Sequence, residues 1–127
     1  MAIISTTTPL LRDLSAIENI ALMLEYNKNY SINKAEQAIF KLMKRFQIEG
    51  IKDKRVYELN KKDILIIKYL RAYVSSFDAI LVVKPFSMLD NVEDIDVLFE
   101  LFNIYNDKMT KIVDLNSNQY YRDNNVI

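Results

Sequence analysis

Five cations lie close together near the middle of the chain, Lys52, Lys54, Arg55, Lys61 and Lys62. Such a cluster could contact the phosphates of a nucleotide carried by a partner subunit. Asp53, Glu58 and Asp63 are interleaved with it, and a solvated, charge-balanced face is the simpler account. The carboxylates Asp94 and Asp96, and the run from Asp107 to Asp114, have no spacing that fits a glycosidase pair or a two-metal centre, and read as surface charge. Tyr26, Tyr30, Tyr57, Tyr69 and Tyr73 could line a groove, although amphipathic aromatics at the rim of a helical core are the commoner arrangement.

Missing residue types narrow the chemistry further. The chain has neither histidine nor cysteine, so the commonest general base, thiolate nucleophiles and the usual zinc ligands are all lacking. Its single glycine, Gly50, cannot build a phosphate-cradling loop, which needs several glycines to bring backbone N–H groups against the anion. The 17 basic and 17 acidic side chains cancel, leaving no net field to recruit nucleic acid or an anionic membrane surface. No stretch approaches the roughly 20 apolar residues of a membrane-spanning helix, and residues 1–14 show no basic region ahead of an apolar run. No cofactor or metal is expected, nor nucleic-acid binding or direct membrane insertion. A reducing cytoplasm is the expected location.

The elements that would position any site are readable from periodicity. One domain is expected over residues 1–127. Ala2 to Ser5 is short and β-prone, and Thr6-Thr7-Thr8-Pro9 then marks a loop. Ser15-Ala16-Ile17-Glu18 has the spacing of a capping box, with Ile17, Ile20, Ala21 and Leu24 at helical intervals through about Tyr26. Asn33 would cap a second helix carrying Ala35, Ala38, Ile39, Leu42, Met43 and Phe46, with Gly50 as its C-terminal cap. Asn60 would cap a third, with Ile64, Ile67, Leu70 and Val74 on one face, ending near Ser75 and Ser76. Ala79 to Val83 reads as a strand buried on both faces. A helix is expected from Val92 with Ile95, Leu98, Phe99, Phe102 and Tyr105 on one side, then a strand over Thr110 to Leu115. That order suggests an α/β fold, a small parallel sheet of about three strands with crossover helices.

Leu10-Leu11-Arg12-Asp13-Leu14-Ser15-Ala16-Ile17-Glu18-Asn19-Ile20-Ala21-Leu22 resembles the segment after the Q-loop in ABC-transporter ATP-binding domains, commonly LLPDLTVLENVAL. Tyr57 to Asp63 falls where that family has P-x-E-L-S-G-G-Q, and Tyr69-Leu70-Arg71-Ala72 resembles the A-R-A helix that follows. Ile80 to Asp90 is similar to the Walker B and D-loop segment, hhhhDEPTxxLD, with Pro85 and Leu89-Asp90 at matching positions. The resemblance covers nearly the whole chain, in order and in register. It implies a fold like the second half of a P-loop ABC ATPase domain. In that fold residues 14–76 form a helical subdomain, and 1–13 and 77–127 form a partial core. It also implies neighbouring strands, with Thr110 to Leu115 an open sheet edge unless a dimer, a partner or the chain's own tail covers it.

The same resemblance locates the departures. Thr6 stands at the Q-loop glutamine, which would hold magnesium and the attacking water, and its shorter side chain cannot span that distance. Val83 and Lys84 replace the Walker B aspartate and glutamate, so neither magnesium support nor water polarisation is retained. Asn60, Lys61, Lys62 and Asp63 replace Ser-Gly-Gly-Gln, and their side chains block close approach of γ-phosphate. Leu115 falls near the histidine switch, and the Walker A half of the family has no counterpart here. Asp90 fits either a D-loop role across a dimer or the N-cap of the helix near Val92.

The implied function is that of a non-catalytic accessory or interaction subunit of a membrane transport complex. Its expected partners are a membrane permease, an ATPase subunit or a second copy of the chain, with peripheral placement at the inner face of the membrane through that partner. The alternatives are an ATPase subunit completed in trans by a chain bringing Walker A, or a relic domain without a defined task.

Overall fold

The computed structural model describes residues 2–5, 8–75, 79–83, 88–89, 94, 96, 99–100 and 109–113. The elements are β1 (Ala2–Ile4), α1 (Ala16–Lys28), α2 (Ile32–Arg45), α3 (Lys61–Tyr73), β2 (Ala79–Val83) and β3 (Met109–Val113), with short 3-10 turns at Glu49–Ile51 and Val56–Glu58. Asp94, Asp96, Phe99 and Glu100 also have helical backbone. Among the described residues, no helix is long and apolar enough to cross a membrane.

The first four N–H groups of α1 have no partner inside the helix, and each finds one elsewhere. Ala16 and Ile17 donate to the carbonyls of Lys54 (2.8 Å) and Lys52 (2.9 Å), and Asn19 donates to the Ser15 carbonyl. Glu18 N–H donates to Ser15 Oγ, while the Glu18 carboxylate accepts from Ser15 N–H at 2.9 Å, completing the capping box. The helix ends at Asn29, which takes the left-handed conformation (φ 54°).

Ser31, rather than Asn33, caps α2. Its C-terminus also departs from expectation: the helix stops at Arg45, and Gln47 (φ 60°), not Gly50, occupies the left-handed position. Gln47 N–H donates to the Lys44 carbonyl and Ile48 N–H to the Met43 carbonyl. Two satisfied helix-end carbonyls offset the steric cost of a non-glycine residue there. Gly50 lies instead in the following 3-10 turn.

α3 starts at Asn60 as expected, with Asn60 Oδ1 accepting from Asp63 N–H at 2.7 Å. It is not a one-faced helix: Leu65, Ile66, Ile67, Lys68, Tyr69, Leu70 and Ala72 are all buried. It packs on both α1 and β1. Tyr69 is fully enclosed rather than at a rim, within 6.3 Å of the Phe46 ring and 6.2 Å of the Tyr73 ring, while Tyr26 and Tyr57 lie exposed.

The expected α/β class is corrected to a mostly helical body. The strands pair in parallel in the order β1-β2-β3, with Ile4 opposite Val82 and Val83 opposite Val113. They are only 3, 5 and 5 residues long, against 13, 14 and 13 for the helices. Among the described side chains, the buried apolar cluster takes Ile4 and Ile80 from strands and the rest from helices and connections. α3, covered on nearly all sides, organises that core, and β1 lies against it. Among the described residues β3 has no neighbour beyond it, though Leu115, the end of the expected strand, falls outside them. Ile95, Leu98, Phe102 and Tyr105 of the expected later helix are also outside the described residues.

Ser15→Ala removes one arm of the capping box and is expected to lower stability by about 1 kcal/mol in urea unfolding. Hydrogen bonds from Ser15 hold the Glu18 carboxyl below the usual 4.5. The stability contributed by this shift is complete above that value and lost as pH falls through the lower folded one. Glu18→Gln should flatten that part of the acid limb; an unchanged limb in unfolding measured across acid pH would contradict the assignment.

Candidate functional site

The most distinctive feature outside the core is the connection from β1 to α1, whose described residues form no helix or ladder beyond the single Ser15–Arg55 bridge and are held by three side chains. Asn19, buried on α1, accepts from Leu11 N–H at 2.7 Å and donates through Nδ2 to the carbonyls of Leu11 (3.1 Å) and Ser15 (3.0 Å). A longer approach to the Leu14 carbonyl, 3.4 Å, shares the same two N–H groups. From the other side α3 reaches across: Lys68 Nζ donates to the Ser5 carbonyl at 3.0 Å, and Arg71 donates to the carbonyls of Pro9 (2.9 Å) and Thr8 (2.8 Å).

Lys68 and Arg71 are three residues apart, on neighbouring positions of one helix face. Burial disfavours the charged form of both and lowers both pKa values, and the positive charge of Arg71 lowers that of Lys68 further. Between this loop, α3 and the Val56–Glu58 turn lies a groove of about 420 Å³, lined by Pro9, Leu10, Leu11, Arg12, Val56, Ile64 and Lys68. Leu11, 49% exposed, presents its side chain at the groove, and Tyr57 next to Val56 is 80% exposed.

The residues expected to mark lost nucleotide chemistry fall in two places. Asn60 to Asp63 form the start of α3, where Asn60 caps the helix with its own side chain and Asp63 puts a carboxylate in the first turn. A helix N-terminus favours an anion, and here the chain supplies both the hydrogen-bond acceptor and the negative charge. Val83, half-buried, ends β2. Thr6, Lys84, Asp90 and Leu115 lie outside the described residues, as do Asp107 and Asp114.

Two members of the basic cluster, Lys52 and Arg55, have local partners. Lys52 pairs with Asp53 at 2.8 Å and lies 5.9 Å from the Phe40 ring centre, and an Arg55 guanidinium N–H donates to the Asp13 carbonyl. The turn that carries these cations is held against the start of α1 by the backbone bonds of Lys52 and Lys54. Among the described residues no three histidine, cysteine, aspartate or glutamate side chains come together in a metal-binding group.

No protein-family model matches the chain, and no curated protein matches it significantly.

Sequence reasoning did not single out Asn19 or Lys68. The signal for Lys68 was present: one cation inside the otherwise apolar run Ile64-Leu65-Ile66-Ile67-Lys68-Tyr69-Leu70 is expensive to bury without a dedicated acceptor. Below its depressed folded pKa, Lys68 carries the full penalty of a buried charge. Between that value and the 10.5 of an ordinary lysine, the unfolded chain binds more protons, so stability gains from rising pH. Urea unfolding from neutral pH towards 10.5 should show the native chain gaining stability relative to Lys68→Met. Parallel pH curves for the two proteins would contradict the burial of a charged Lys68.

Proposed function

We propose that the chain is a non-catalytic ABC transporter ATP-binding-like protein that serves as an accessory or interaction subunit of a membrane transport complex. It receives a short segment of a permease subunit in the groove between the 9–12 loop and α3. The observation that carries this reading is the groove itself, an apolar concavity between two elements clamped together by Lys68 and Arg71, the loop being tied to α1 by Asn19, with Leu11 exposed at its edge. A pre-formed surface of this kind lets a partner bind without the cost of ordering a loop.

The start of α3 supports the non-catalytic half of the reading. Where the resembling family would bring glycine N–H groups against phosphate, Asn60 and Asp63 satisfy the helix end, and Lys61 and Lys62 add side chains where the family has none. Val83 at the end of β2 offers no side-chain oxygen to a magnesium ion. On this reading the protein lies on the cytoplasmic side of the membrane, held there by its partner.

Calorimetric titration of the purified chain with Mg·ATP is expected to give no saturable heat at micromolar nucleotide. A saturating isotherm in that range would overturn the non-catalytic reading.

A further inference from the structure

Lys68 lines the groove and is only 8% exposed. Its ammonium has three N–H donors. Among the described residues they find one acceptor, the Ser5 carbonyl, which also accepts from Thr8 N–H (3.3 Å) and Thr8 Oγ1 (3.0 Å). No carboxylate pairs with Lys68 among the described residues, and the like charge of Arg71 acts on it. Leaving a buried cation without a counter-charge is costly.

The groove is correspondingly one-sided. Among the described residues its wall carries Arg12 and Lys68 and no acidic residue, although the chain as a whole is neutral. Pro9, Leu10, Leu11, Val56 and Ile64 supply the rest of the surface. An ion pair formed against such walls is stronger than one in water. A volume of about 420 Å³ accommodates a few side chains and not a full helical turn, so an occupant would lie across the mouth and insert side chains.

We propose that the segment received by this groove carries a carboxylate side chain between aliphatic ones, and that the carboxylate seats on Lys68 while the aliphatic groups fill the space between Leu10, Leu11, Val56 and Ile64. This rests on the docking reading above and names the chemistry of the partner. Lys68 is the anchor, because a carboxylate supplies both acceptors and the counter-charge that Lys68 lacks among the described residues. Arg12, exposed on the rim, adds attraction at long range but is solvated and contributes little once the pair has formed.

The test uses two capped helical peptides that differ only in a single Glu or Gln set between leucines on one face, with octanoate and octan-1-ol as small probes. Each is titrated into the isotope-labelled full chain. The Glu peptide is expected to shift the methyl resonances of Leu10, Leu11, Val56 and Ile64 and the side-chain resonances of Lys68, and to bind about tenfold more tightly than the Gln peptide. Lys68→Met should erase that difference and leave the Gln peptide's affinity unchanged. The comparison on the native chain stands even if the variant does not fold.

Equal affinities for the two peptides would overturn the carboxylate proposal and leave the docking reading intact. No shift with any probe would remove both. Binding of octanoate with neither peptide bound would overturn the proposal in favour of a free small acid. A Glu preference that survives Lys68→Met and disappears in Arg12→Ala would overturn it by moving the anchor to the rim.

Discussion

The amide of Asn19 is the constraint on which the rest of the structure depends. Beyond the Ser15–Arg55 bridge, the described residues of the connection between β1 and α1 have no ladder or helix to absorb their backbone polar groups, and a buried backbone group left unpaired costs about 1–3 kcal/mol. Asn19 satisfies the Leu11 N–H with its oxygen and the carbonyls of Leu11 and Ser15 with its nitrogen, one residue doing for this loop what a neighbouring strand would otherwise do. Because the same residue belongs to α1, the loop is fixed relative to the helix. Ser15, whose carbonyl accepts from the Asn19 side chain, is also the cap of that helix. Helix start, loop path and groove wall are therefore set together.

Packing fixes where the helices lie, and local hydrogen bonds fix where they begin and end. Burying a side chain such as Ile20, Ile39, Ile67 or Leu70, each at 1% exposure or less, contributes about 1.5–3 kcal/mol. A cap contributes about 1 kcal/mol. This difference explains which parts of the fold were legible in the sequence. The spacings of Ser15 with Glu18 and of Asn60 with Asp63 predict two helix starts correctly, because caps are local. Gly50 misleads, since the bonds from Gln47 and Ile48 to the end of α2 make a left-handed glutamine acceptable. The α/β reading gives the sheet too much weight because alternation and apolar runs reveal strands but not how much of the core they build. α3 reads as a helix with one apolar face; its burial on nearly every side comes from α1, β1 and the Phe46 ring, all distant in sequence.

The candidate site was less legible for the same reason. Lys68 and Arg71 act on carbonyls 62 or 63 residues earlier in the chain, and nothing in the local pattern around either residue announces that partner. In the basic cluster, which local pattern did announce, two members are engaged close to home, Lys52 with Asp53 and Arg55 with the Asp13 carbonyl, and the turn itself is bonded to the first residues of α1. Charge density in sequence was thus a poorer guide to a site than a single cation placed among apolar residues.

α3 joins the two halves of the functional reading. At its start the helix N-terminus, the natural place for a bound anion, is filled by Asn60 and faced by Asp63, so an incoming phosphate would have to displace one acceptor and meet a like charge. About two and three turns later the same helix carries Lys68 and Arg71, whose acceptors among the described residues are neutral carbonyls, one of them shared with Thr8. The negative charge that would suit α3 is therefore excluded at its end and wanted along its side. A ligand that exploits this distribution must reach Lys68 from the groove, past Leu11 and Ile64, and bring apolar surface with it. That requirement disfavours a nucleotide, whose phosphates would remain heavily solvated among aliphatic walls, and favours a protein segment whose single carboxylate can be desolvated against one ammonium.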